Sequence, residues 1–256
     1  MTTQTDKARL FHSLHAGDRP LVLFNIWDPG SAKAVADAGA RALATGSWSV
    51  AAANGYKDGE HLPLELALDN LARIVANTDL PVTVDLESGY GATAAEVGRT
   101  VQRAIEAGAV GCNLEDSHPA DGRLRPLAEQ VERLVQVRKA ADASGVALFI
   151  NARTDVFFQK PAEAHDAEMV AQALERARAY AAAGADGLFV PGLVDGTLIA
   201  NLVAALPLPV NVMVGAGTPA LARLAELGVA RISHGPGPYL TAMRTLAEAA
   251  AKASDF

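Results

Sequence analysis

Short apolar runs alternate with longer amphipathic segments along most of this chain. The runs, such as LVLFNI and PVTVD, are too short for helices and are bounded by glycine, proline or charge, which is typical of buried strands. The segments between them, such as AAEVGRTVQRAIEAG, are rich in alanine and predict helices that cover a sheet. The pattern predicts eight strands, at about residues 21–26, 42–46, 82–86, 110–115, 147–152, 187–190, 209–213 and 230–234.

A turn signature recurs where a helix gives way to a strand. It reads DAGARALATG from Asp37, EAGAVGCNLED from Glu106, AAGADGLFVPG from Ala182 and ELGVARISHG from Glu226. A glycine just past a helix suits a left-handed cap. We therefore predict a parallel (β/α)8 barrel of the TIM type that forms a single domain over residues 1–256 and ends in a C-terminal helix. An open doubly wound sheet usually shows GxGxxG after its first strand, where this chain has WDPGSAKAV.

Charge and cysteine content narrow the classes of partner. The net charge of -7 and the lack of a basic stripe argue against nucleic acid. Cys112 is the only cysteine, which precludes an internal disulfide and fits a reducing cytoplasm. The charged N-terminal segment does not read as a secretory peptide, and no apolar run reaches membrane-spanning length. We expect a cytoplasmic protein that binds neither nucleic acid nor membrane.

Acidic side chains end the apolar strands. Asp85 and Glu87 stand two residues apart, so they point to the same side at the end of a strand. Glu115 ends the next strand, and Arg153 ends the one after that, in INARTD. The carboxyl ends of barrel strands form the active-site face, and like charges so close need a cation or a shared proton. This arrangement predicts one cation-binding pocket.

Simpler roles remain open for several of these residues. Asp85 and Glu87 would otherwise cap the following helix, and Arg153 would pair with an acid of its own strand or the neighbouring one. His234 ends the eighth strand, where it either binds a substrate carboxylate, relays a proton or is structural. The loop over residues 116–126 is either a lid or a surface loop. Glycines after the seventh and eighth strands form either tight turns or a phosphate site.

The ordered set of motifs NIWDPGSAK, ATGSWSVAAANGYKDGE, VDLESGYG, NLEDS, NARTD and PVNVM resembles the isocitrate lyase and phosphoenolpyruvate mutase superfamily. The resemblance covers nearly the whole barrel. It implies a lyase that depends on Mg2+, with Mn2+ as the alternative ion. Its substrate would be a small carboxylate, a 2-oxo acid or substituted malate that reacts through an enolate.

The resemblance also assigns roles to individual residues. Ser47 and the amides around Gly46 and Trp48 would bind the substrate carboxylate, and Arg153 would face the negative charge of the substrate. The metal ligands would be Asp58, Asp85, Glu87 and Glu115. We count Arg153, Glu115, Ser47 and His234 as catalytic candidates, and Trp27, Asn211 and His234 as further candidates for substrate contact.

The segment after the fourth strand departs from several branches of this superfamily. Isocitrate and methylisocitrate lyases carry lysine and a catalytic cysteine there, and phosphomutases carry lysine and asparagine, whereas this chain has EDSHPADGRLRPL. By elimination it is closer to oxaloacetate decarboxylases and 2-oxo acid-binding members. Phosphorus–carbon chemistry and a non-catalytic carboxylate-binding barrel are the two alternatives. The resemblance further implies a homo-oligomer, either a dimer or a tetramer.

Overall fold

The computed structural model describes residues 2–254. All eight expected strands are present in this range and all are parallel, which confirms the (β/α)8 barrel. In sheet order the strands run β1-β8-β7-β6-β5-β4-β3-β2, and a bridge between Ile26 and Thr45 joins the two ends of the sheet. The strands are β1 Leu21–Leu23, β2 Leu43–Ala44, β3 Val82–Asp85, β4 Gly111–Glu115, β5 Phe149–Arg153, β6 Gly187–Phe189, β7 Val210–Met213 and β8 Arg231–Ser233.

Helices surround the barrel and begin at local capping residues. Asp28 and Thr93 each form a capping box with the residue three positions later, which satisfies backbone donors that a helix start leaves unpaired. The helices are α1 Gln4–His15, α2 Pro29–Asp37, α3 Ser47–Ala53, α4 Leu64–Ala76, α5 Ala94–Glu106, α6 Leu127–Ser144, α7 Ala167–Ala182, α8 Gly196–Ala204, α9 Leu221–Glu226 and α10 Gly237–Ser254. Short 3-10 turns occupy Val156–Phe158 and Ala162–Ala164.

The recurring turn glycines have the expected backbone conformation. Gly39, Gly108, Gly184 and Gly228 have φ of 92°, 99°, 100° and 81°, in the region that L side chains avoid. Each lies one residue beyond a helix cap, which lets the chain reverse into the next strand. The sequence signature therefore corresponds to real helix ends.

Buried apolar side chains lie on the outer face of the barrel strands and at the amino end of the barrel. Outward side chains such as Val84, Leu114 and Ile150 are buried beneath the helices. At the amino end of the barrel, α1 closes the floor, where Phe11 lies edge-on to Phe149 with ring centroids 5.6 Å apart. Polar and charged residues such as Asp85 and Arg153 lie at the opposite end, where the strands have their carboxyl ends. No helix within residues 2–254 combines the length and apolar character needed to cross a membrane.

Candidate active site

A cavity of about 190 Å³ lies at the carboxyl ends of the strands. Several residues singled out from the sequence line it: Gly46, Ser47, Trp48, Asp58, Asp85 and Arg153. The folded barrel thus brings together side chains that are far apart in the chain. Gly235, one of the glycines after the eighth strand, also lines it. Sequence reasoning missed other lining residues, namely Asn25, Asn113, Phe158, Phe189, Pro191, Met213, Ser233 and Pro236.

Two carboxylates face this cavity from neighbouring segments. Asp85 ends β3 and accepts a long hydrogen bond of 3.4 Å from the backbone amide of Ser47, the first residue of α3. Asp58 comes from the loop between α3 and α4 and interacts with the Ser47 side chain. Burial raises the pKa of Asp58, and the nearby charge of Asp85 adds to the rise. A cation next to the two carboxylates would therefore stabilise their charged forms.

Glu87, two residues beyond Asp85, has a different environment. Its side chain is buried, and Oε2 accepts hydrogen bonds from the amides of Gly59 at 2.7 Å and Glu60 at 2.6 Å. Oε1 accepts a third from the Tyr90 hydroxyl at 2.8 Å. Burial is the main cause that raises the pKa of Glu87 to about 7. The carboxylate is thus engaged with protein donors, away from the lining of the cavity.

Glu60 completes this arrangement from the opposite segment. Its Oε1 accepts hydrogen bonds from the Ser88 hydroxyl at 2.7 Å and the Tyr90 amide at 2.8 Å. Glu60, Glu87 and Tyr90 have φ of 60°, 50° and 52°, a conformation that is strained for residues other than glycine. We call these three residues the loop clamp. Their mutual contacts hold the segment that carries Asp58 against the end of β3.

Arg153, at the end of β5, is held by two acids. Its Nη1 lies 2.7 Å from Glu115 Oε2, and its Nε donates to Asp155 Oδ1 at 2.6 Å. Burial alone would lower the pKa of Arg153, but Glu115 and Asp155 outweigh it and raise that pKa, so the guanidinium stays charged. Burial raises the pKa of Glu115, and the charge of Arg153 opposes the rise. The phenyl rings of Phe158 and Phe189 lie 5.6 Å and 6.0 Å from the guanidinium carbon.

Three residues expected to contact substrate lie away from this cavity. The ring of Trp27 packs against Tyr239 with centroids 5.1 Å apart. Asn211 is buried, and its Oδ1 accepts a hydrogen bond from Ser233 at 3.2 Å. The ring of His234 lies against Phe24 at 5.0 Å, and burial lowers its pKa. The cavity lining does not include these three residues, and their functional roles stay predictions.

The loop after β4 is anchored at its base. Asp116 is fully buried, and its Oδ1 accepts a hydrogen bond from the Asp155 amide at 2.9 Å. Its Oδ2 accepts another from the Tyr180 hydroxyl at 2.7 Å and pairs with Arg176 at 3.1 Å. Asp116 therefore fixes the loop to α7. A lid role for residues 116–126 stays a prediction.

The donor set at the cavity matches one mode of magnesium binding. Within residues 2–254, no three or more His, Cys, Asp or Glu side chains are grouped closely enough to form a complete protein cage for a metal. Mg2+ commonly uses only one or two carboxylates and completes its shell with waters and substrate oxygens. Asp58 and Asp85 supply two such carboxylates. The carboxylates of Glu87 and Glu115 already contact protein donors. Their expected roles as metal ligands stay predictions.

Comparison with known proteins gives consistent results. The profile of the family described as phosphoenolpyruvate phosphomutase matches residues 11–254. The chain is 30% identical to oxaloacetate decarboxylase 2 of Pseudomonas fluorescens, over 95% of this chain and 83% of that one. It is 31% identical to 2-methylisocitrate lyase of Salmonella typhimurium, over 94% and 81%. A crystal structure from Burkholderia cenocepacia, whose name suggests a phosphonomutase, is 60% identical with a TM-score of 0.96 and covers 98% of this chain and 100% of that one.

Proposed function

The chain belongs to the phosphoenolpyruvate mutase and isocitrate lyase superfamily, whose members are lyases and mutases, and on that premise we propose that it cleaves a carbon–carbon bond in a small carboxylate. The substrate is a 2-oxo acid or a substituted malate, and the reaction passes through an enolate. Decarboxylation of oxaloacetate is the simplest example. The observation that carries the proposal is the convergence of Asp58, Asp85 and Arg153 on one small cavity.

Arg153 binds the carboxylate of the substrate. Its guanidinium is always charged and can donate two parallel hydrogen bonds to a carboxylate. Asp155 accepts hydrogen bonds from Nε and Nη2, and Glu115 contacts Nη1, so the two acids fix the plane of the guanidinium. Arg153 still lines the cavity, where the second hydrogens of Nη1 and Nη2 are the donors for a substrate. The rings of Phe158 and Phe189 lie beside it. Arg153 therefore holds the substrate in one orientation before the bond breaks.

Asp58 and Asp85 are the residues that would hold a divalent cation, Mg2+ or Mn2+. Such an ion supplies Lewis-acid stabilisation of negative charge on the 2-oxo oxygen. Ser47 lies next to both carboxylates and contributes its amide and hydroxyl to the same side of the cavity. The loop clamp keeps Asp58 in place, which reduces the reorganisation needed when charge develops.

The assay for this function is simple. Purified protein is incubated with Mg2+ and oxaloacetate, and pyruvate release is compared with that of Asp85→Ala, because free Mg2+ alone also promotes loss of CO2. Turnover that falls at least a hundredfold in the variant supports the proposal. Absence of turnover with oxaloacetate, alkylmalates and isocitrate, together with retained pyruvate binding, would favour the non-catalytic alternative.

Phosphorus–carbon chemistry is the second candidate, and the name of the Burkholderia cenocepacia protein favours it. Among residues 2–254, Arg153 is the only lysine or arginine that lines the cavity, whereas a phosphonate with a carboxylate carries more negative charge than oxaloacetate. Turnover of phosphonopyruvate or phosphoenolpyruvate in the same assay, in place of oxaloacetate, would replace the lyase proposal.

The same proposal includes a homo-oligomer. The last helix, α10, leaves apolar side chains in solvent, with Leu240 50% and Leu246 63% exposed. On the outer face of β1, Val22 and Phe24 are 40% and 45% exposed beside α2. In a barrel a helix normally covers each strand, so the two surfaces are suited to meet between copies. Light scattering on the full chain and on a Leu246→Glu variant tests this assembly.

A further inference from the structure

We infer that the substrate carries an apolar substituent. The site takes a 2-oxo acid or malate with an alkyl substituent, and it disfavours one whose substituent ends in a further carboxylate. This inference rests on the proposed function and narrows its substrate class. It comes from the unequal chemistry of the two sides of the cavity.

The two carboxylates of the cavity lie on one side of the barrel. Asp85 ends β3, and Asp58 lies beside it. In the closed sheet β3 stands opposite β7. The side formed by the ends of β5 to β8 carries what we call the apolar wall: Phe158, Phe189, Pro191, Met213 and Pro236.

Two members of the wall lie at strand ends and face inward. Phe189 is paired in register with Arg153 on the neighbouring strand, and Met213 is paired with Ser233. Both side chains line the cavity, as Asp85 does from the end of β3. Apolar side chains therefore face the acids across the cavity.

Two glycines make room for this wall. At Gly235, which has φ of 53°, a Cβ would lie 2.5 Å from the Met213 sulfur. At Gly192, which has φ of 87°, a Cβ would lie 2.9 Å from the Phe158 ring. Any larger residue at either place would displace the wall. Glycine at these two positions therefore leaves room for the side chains of Met213 and Phe158.

The wall offers little to a further negative charge. Asn25, which lines the cavity nearby, already uses its Oδ1 for the amides of His234 and Gly235 and its Nδ2 for the Thr45 carbonyl. Within the described chain, Arg153 is the only lysine or arginine at the cavity, and it already contacts two acids. The Arg153 guanidinium lies beside Phe158 and Phe189, but under the proposed function it is taken by the carboxylate that all these substrates share. A second carboxylate placed against Pro191, Met213 or Pro236 would lose hydration without a further cation to pair with, which is unfavourable.

The size of the cavity sets a limit on the substituent. A volume of about 190 Å³ is smaller than the roughly 300–1,000 Å³ typical of small-molecule sites. That space suits a short acid with a small alkyl group better than a long chain. Each methylene buried against the wall should add about 0.8 kcal/mol, which is roughly a fourfold gain in affinity.

A homologous series of ligands tests the inference. In the presence of Mg2+, calorimetry measures binding of pyruvate, 2-oxobutanoate, 2-oxopentanoate and 2-oxoglutarate to the intact protein. Affinity should rise about fourfold for each methylene from pyruvate to 2-oxopentanoate. It should fall at least tenfold from 2-oxopentanoate to 2-oxoglutarate, which has the same carbon chain with a terminal carboxylate.

Two substitutions of Met213 link the trend to the wall. Met213→Gln keeps the length of the side chain but adds polarity, and it should abolish the gain per methylene. Met213→Leu keeps the wall apolar and should retain the trend. Flat affinity along the series, or equal binding of 2-oxoglutarate and 2-oxopentanoate, would overturn this inference and leave the lyase proposal standing. Failure of every 2-oxo acid to bind would overturn both.

Discussion

Substitution of Glu87 gives the sharpest test of how the site is organised. Its carboxylate accepts hydrogen bonds of 2.6 to 2.8 Å from three donors, the amides of Gly59 and Glu60 and the hydroxyl of Tyr90. A hydrogen bond to a charged group contributes about 1.5–3 kcal/mol to stability. At the lower figure, three bonds give about 4.5 kcal/mol. Burial of the carboxylate, which raises its pKa, offsets part of this gain, so Glu87→Ala should lower the free energy of unfolding by less than that amount. Glu87→Gln keeps one oxygen acceptor and should lose less.

The assay should separate loop release from general unfolding. Hydrogen exchange followed by mass spectrometry or NMR reports on the amides of Gly59 and Glu60, which should exchange at least tenfold faster in Glu87→Gln. Amides in α8, which connects β6 and β7 on the opposite side of the barrel, should not change. Mn2+ affinity should also fall, because Asp58 is no longer held beside Asp85. Glu65→Gln, which alters a surface pair with Arg103, is the control and should leave both readouts unchanged.

One result would refute this reasoning. If Glu87 were itself a metal ligand, Glu87→Gln would weaken Mn2+ binding as strongly as Asp85→Asn while the amides of Gly59 and Glu60 kept their protection. The loop clamp would then have no role in placing Asp58.

Three further predictions follow from single features. Burial lowers the pKa of His15 to about 3, so at pH values below its ordinary pKa of 6.5 the folded protein binds fewer protons than the unfolded chain. The contribution of His15 to stability should therefore be complete above pH 6.5 and should fall by about 1.4 kcal/mol between pH 7.5 and 5.5. Urea unfolding at the two pH values, compared with His15→Gln, measures this loss. Arg153→Lys loses the planar fork and should reduce kcat/KM with the preferred substrate about a hundredfold, and normal activity would contradict its role. Gly89 has φ of 107°, and a Cβ there would lie 2.6 Å from Val97, so Gly89→Ala should cost at least about 2 kcal/mol in thermal unfolding. Gly39→Ala, where φ is 92° but no atom lies within 4 Å, should cost less.

The barrel could be predicted because its signals are local and repeated. Apolar runs of strand length, and glycines just past the helices, depend on a few neighbouring residues. The convergence of Asp85 and Arg153 follows from the same topology, since every parallel strand ends on one face of the barrel.

The partners of Glu87 could not be predicted, because they depend on backbone conformations that residues other than glycine rarely adopt. Glu60 and Tyr90 show no such tendency in the sequence, and their φ values arise only when the two loops meet. The two-residue alternation of a strand also determines which side chains face the cavity. Ser233 faces the cavity, so His234 should face away, as it does, and the inward positions of Phe189 and Met213 follow from the same alternation.

Anomalous diffraction from crystals grown with Mn2+ and pyruvate measures the central claim most directly. The account predicts one strong Mn2+ peak in the cavity, in contact with carboxylate oxygen from Asp58, Asp85 or both, and the pyruvate carboxylate at Arg153. A cavity without Mn2+ or pyruvate at saturating concentrations, or an ion bound away from both aspartates, would contradict it.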